Sequence, residues 1–177
     1  MGAGKVLVII GAIITLVSTF FFSLFYLDMP AALLWMEAGD NYGNGLNFFM
    51  HIIDLFTDAE NVAAGFATEV YLVYIITILL IFFAISGVIQ LIGLKSRAAA
   101  IIGSLMPLFI GVLIILGTFI DLPDILGGFL SFQLDGELVE GIIPFHFALA
   151  DISIGAILLT AGGALALIGG IIGVSEF

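Results

Sequence analysis

The chain contains no cysteine, one tryptophan, two histidines and only three basic residues against fourteen acids. Without cysteine there is no disulfide, no thiolate metal site and no cysteine nucleophile. With Lys5, Lys95 and Arg97 as its only cations, the chain has no basic cluster for nucleic acid and no polybasic segment for anionic lipid. No nucleophile–base set and no phosphate-binding glycine loop stands out, so a non-enzyme is expected. Apolar residues fill the place of charge: 63% of the 177 residues are hydrophobic and 10% charged, with a mean hydropathy of +1.36. A soluble domain must cover its core with far more polar surface. The composition predicts an all-α integral membrane protein.

A helix needs about 20 apolar residues to cross the hydrocarbon core. Four stretches are long enough, at about 5–27, 70–94, 98–120 and 152–174, and they predict a four-transmembrane-helix bundle. The first apolar run is too long for a signal-peptide core and is followed by no small-x-small cleavage site, so an uncleaved span is expected. Thirteen of the fourteen acids lie in the intervening segments 28–69 and 121–151, and all three cations lie at the opposite ends of the spans. The positive-inside rule then places both termini and the Lys95-Ser96-Arg97 turn in the cytoplasm of a multi-pass cell-membrane protein, with the acidic segments outside.

The two halves resemble each other. Ile9-Ile10-Gly11-Ala12 parallels Ile101-Ile102-Gly103-Ser104, and Asp28-Met29-Pro30 parallels Asp121-Leu122-Pro123. His51 and Asp54 follow in one half, His146 and Asp151 in the other. This order suggests a tandem duplication of a two-span hairpin, with repeats at 1–97 and 98–177 related by an axis along the membrane normal. Asp followed by Pro also suits any helix leaving a bilayer, which is the alternative origin of the match.

The first outer segment is too apolar for a solvated loop between Ala31 and Met36, and it carries Trp35, a residue suited to the membrane interface. Asn47, His51, Asp54 and Asp58 share one helical face, with Phe49, Ile52, Ile53 and Phe56 on the rest, which predicts an amphipathic helix. Thr57 and Glu60 have capping-box spacing for a further helical segment. In the second outer segment, Asp135-Gly136 between alternating residues predicts a tight hairpin around 131–140. Residues around Leu33–Glu37 are its expected counterpart in a small outer sheet.

Within lipid, helices associate through close fit and hydrogen bonds. Small-residue stripes run along Gly11, Thr15 and Thr19 in the first span, Gly103 and Gly111 with Pro107 in the third, and Gly162, Ala166, Gly170 and Gly173 in the fourth. A compact bundle would use these faces internally, while an oligomer would leave one for self-association. If the repeats bring the outer segments together, His51, Asp54, His146 and Asp151 supply two imidazoles and two carboxylates, a set suited to zinc or a similar divalent cation. Histidines held at the interface are the simpler reading of the same pair. Asp121, Asp124, Asp135, Glu137 and Glu140 offer oxygen ligands for calcium, without EF-hand spacing. No other cofactor is implied.

The layout of four spans, two outer segments and Trp35 in the first resembles tetraspan membrane proteins of the claudin-like and tetraspanin-like kind. Those families carry outer cysteines, which this chain lacks, so their barrier and adhesion roles do not carry over to its residues. The opening Gly2-Ala3-Gly4-Lys5 followed by Val6–Gly11 is similar to that of uncharacterised archaeal membrane proteins. The acidic outer segments and the small-residue helix faces instead suggest a non-enzymatic scaffold held in the bilayer that binds copies of itself or another membrane or extracellular protein. An oligomeric cation channel or transporter is the alternative, and an accessory subunit of a membrane enzyme complex is a third.

The cysteine-free chain makes topology directly measurable. In intact cells a membrane-impermeant maleimide should label Ser131→Cys but reach Ser96→Cys only after permeabilisation. The reverse pattern would put the acidic segments in the cytoplasm.

Overall fold

The structure, a computed structural model, describes residues 2–22, 24, 52–53, 55–65, 69–117, 119, 145, 147–149 and 152–173. It is mostly helical. Helices α1 (Ala3–Phe21), α3 (Val70–Ile92), α4 (Arg97–Gly117) and α5 (Ile154–Ile172) are long and apolar enough to cross a membrane, as expected of a multi-pass membrane protein. Short helix α2 (Ala59–Gly65) precedes α3, and strands β1 (Ala148–Leu149) and β2 (Ile152–Ser153) form an antiparallel pair just before α5.

The first span is shorter than its apolar run suggests. The chain turns extended at Phe22 (φ −107°, ψ 145°), so α1 stops there rather than near residue 27. The cause is a competing backbone partner: the Phe145 N–H donates to the Phe21 carbonyl at 2.7 Å, forming a strand-like bridge. The fourth span also starts late, because residues 152–153 pair with 148–149 before the helix begins. Ser153 then caps α5, its Oγ accepting from the Gly155 N–H at 3.1 Å. Nineteen residues at the helical rise cover about 28 Å, close to the hydrocarbon thickness. The hairpin expected around 131–140 and its counterpart around 33–37 lie outside the described residues.

Thr57 does not act as a helix cap. It lies within a helical turn, and its hydroxyl donates back to the Ile53 carbonyl at 3.1 Å. Asp58 stands at the start of α2 instead, accepting from Asn61 Nδ2 at 2.6 Å. The Asp58 backbone carbonyl accepts from the Val62 N–H at 3.1 Å, which makes residue 58 the point where α2 begins.

Helices α1, α3, α4 and α5 form a ring in chain order, with α5 closing back on α1. The pairing is antiparallel: Gly4 meets Gly169 and Gly173, while Ser18 meets Gly155. All three cations therefore belong to one end of the bundle, called here the basic end. The turn there is tight. Gly93 lies against Ala100, where an added Cβ would come 2.5 Å from the Ala100 Cα. Ser96 then starts α4 by accepting from the Ala99 N–H at 3.4 Å. Arg97 Nη2 reaches across to the Ile171 carbonyl at 2.9 Å, placing a cation where the α5 dipole is negative.

The two ends are packed differently. Toward the far end, Val73, Ile76, Leu80, Phe83, Ile114 and Leu159 make a core of large side chains, and α2 lays Ala59 and Ala63 against it. Toward the basic end the contacts are between backbones. A Cβ at Gly11 would lie 2.6 Å from both the Gly162 carbonyl and the Ala166 nitrogen, and one at Gly169 would lie 2.6 Å from the Gly4 carbonyl. Outward, α1 shows Val6, Ile10, Ile13, Val17 and Phe21, an apolar face in keeping with lipid.

Gly11→Leu should lower unfolding free energy in mixed micelles by about 1–3 kcal/mol, the usual cost of overpacking. Ile13→Leu on the lipid side should stay within about 0.5 kcal/mol of the parent.

Candidate functional site: the polar seam and the far end

Pro107 lies inside α4 without ending it. Having no N–H, it cannot serve the carbonyl four residues back, which belongs to Gly103. In a membrane such a carbonyl has no bulk water to turn to and must find a partner in the protein. Gln90 supplies one. Its Nε2 donates to the Gly103 carbonyl at 3.2 Å across the α3–α4 interface. The approach is possible because residue 103 is glycine: a Cβ there would come 2.8 Å from the Gln90 backbone nitrogen. Both Gln90 and Gly103 are buried.

Other polar side chains continue this seam through the bundle. Ser18 Oγ donates to the Gly155 carbonyl, tying the end of α1 to the first turn of α5. Thr77, Ser104 and Thr160 each donate to a carbonyl of their own helix, so their hydroxyls add no tie between helices. Thr15, Thr19 and Ser86 are buried with hydroxyl oxygens that make no hydrogen bond among the described residues.

The residues marked as packing positions have defined places. Gly11 meets Gly162 and Ala166, and Thr15 meets Gly162. Gly103 meets Gln90, Gly111 meets Thr160, and Gly170 meets Ala100 and Ile101. Gly173 ends α5 with φ 103°, a conformation that favours glycine, and its carbonyl lies against Gly4. Thr19 is buried. Sequence reasoning missed Gly87 against Leu16 and Gly163 against Leu108. It also missed the role of Gln90, although the rule that proline frees a carbonyl four residues back would have pointed to Gly103.

The proposed metal set, His51, Asp54, His146 and Asp151, lies outside the described residues, as do Asp121, Asp124, Asp135, Glu137 and Glu140. Among the described residues no three histidine or acidic side chains gather into a metal-binding group. At the far end Phe22, Phe145 and Phe147 form a cluster with ring centroids 5.5 to 6.4 Å apart. The Ile154 N–H, at the first turn of α5, donates to the Phe147 carbonyl at 2.8 Å. This short segment thus joins the end of α1 to the start of α5. Phe56 stacks on Tyr74 at 6.0 Å, bringing residues 55–57 against α3.

Compared with known proteins, the chain matches no family model, no curated protein and no solved structure.

Gln90→Leu should destabilise the protein by about 1 kcal/mol, the scale of an interhelical hydrogen bond in a membrane. The same change in a Pro107→Ala background should cost less, because alanine has the backbone N–H that proline lacks and returns a donor to the Gly103 carbonyl. Equal costs in a double-mutant cycle would break the proposed link.

Proposed function

We propose that this protein is a non-enzymatic tetraspan scaffold, a membrane-held platform that presents its acidic outer segments to copies of itself or to another membrane or extracellular protein. The observation that carries the reading is how the small-residue faces are used. Gly4, Gly11, Gly162 and Gly169 press the first and last spans together, while Gly103, Gly111, Gly163 and Gly170 seat α4 on its neighbours. What the spans turn outward is large and apolar, as suits lipid. The surface left to vary in chemistry is that of segments 28–69 and 121–151, which hold thirteen of the fourteen acids. The resemblance to tetraspan proteins of the claudin-like and tetraspanin-like kind belongs to this proposal, as does the duplication of two-span units.

The packing favours a scaffold over a cation pathway. Transport through a bundle needs ionisable groups or broken helices near the midplane. Here the single proline of the spans leaves α4 continuous, and its freed carbonyl is taken up by Gln90.

Native mass in lipid nanodiscs tests the proposal. The expected result is an assembly or a co-purifying protein that is lost when Asp121, Asp124, Asp135, Glu137 and Glu140 are changed to their amides, and kept when Ile13 or Ile102 is changed to Leu. A strict monomer with no companion would count against the scaffold. Cation flux into liposomes that those amide changes abolish would favour the channel.

A further inference from the structure

We propose that the bundle holds a structural water molecule between Ser86 and Gln90, within the membrane-spanning part of α3. Gln90 is fully buried, and its Oε1 accepts no hydrogen bond from any described residue. The amide cannot be turned to relieve this. Its Nε2 is committed to the Gly103 carbonyl, and Pro107 leaves that carbonyl without its own helical donor. A flipped amide would set two carbonyl oxygens against each other. The orientation is therefore forced, and so is the exposure of Oε1 to a partner that the neighbouring helices do not provide.

Ser86 stands one helical turn from Gln90 on the same face, and its Oγ is also buried without a partner. Buried water settles where two to four polar groups converge and removes the cost of leaving them unsatisfied. One molecule donating to Gln90 Oε1 and bonded to Ser86 Oγ meets that requirement. A hydroxyl and an amide oxygen also suit a small monovalent cation. The site has no nearby carboxylate to balance a charge among the described residues, so water is the occupant proposed.

Nuclear Overhauser transfer from water to the Gln90 side-chain amide tests this. Glutamine occurs only at positions 90 and 133, so selective ¹⁵N-glutamine labelling of the full chain in deuterated detergent, with Gln133→Leu in the outer segment, leaves one amide signal. The side-chain amide is expected to show a cross-peak to water that persists, weakened, in Ser86→Gly, where no serine hydroxyl remains to relay magnetisation and a second water can fill the space the side chain leaves. Absence of the cross-peak, or its complete loss in Ser86→Gly, would overturn the proposal in favour of a dry contact. A Gln90 amide shift on exchanging sodium for choline would overturn it in favour of a cation.

Discussion

The bundle depends on how closely two backbones approach. Where α1 meets α5, glycines on each helix face the carbonyls and nitrogens of the other, leaving no room for a Cβ. Lipid gives no hydrophobic reward for bringing helices together, so contact of this kind, with its dispersion and weak Cα–H···O attraction, has to hold the pair. The ring closes through this seam. Once α1 and α5 are side by side, α3 and α4 fill the remaining flanks, and Arg97 reaches the last turn of α5.

Close backbones at the basic end and large side chains toward the far end have different consequences. Near the basic end, polar groups are drawn in with the glycines: Gln90, Ser86 and Ser104 are all buried there. The proline in α4 is tolerated because this crowded, polar region can answer the carbonyl it releases. Toward the far end Phe83, Leu80 and Leu159 separate the helices and leave space for α2 to pack against α3. Close packing thus limits which polar groups the interior can satisfy.

Much of the architecture is legible in the residues. Charge-free apolar runs mark four spans, because crossing a bilayer leaves few alternatives to a helix. Gly11 and Gly162 can be recognised as close-packing positions from spacing alone, yet their mutual contact cannot, since spacing does not name a partner. Hydropathy overextends α1 because it continues through Leu24 and Phe25, while the backbone at Phe22 is claimed by Phe145, more than a hundred residues away in sequence. Thr57 turns its hydroxyl back to the Ile53 carbonyl and does not cap α2, a choice of partner that residue spacing does not record. The histidine pair and the acidic run 121–140 fall outside the described residues.

The α1–α5 seam also sets the order in which the molecule can be made. Its two halves are the earliest and latest made of the four described spans, separated by more than a hundred residues of chain. Until α5 is inserted, α1 lies in the bilayer with its glycine face uncovered and only α3 and α4 for company. Closure of the ring therefore waits for α5, and a nascent chain arrested before residue 154 would present a bare, tightly contoured helix face to any other membrane protein nearby.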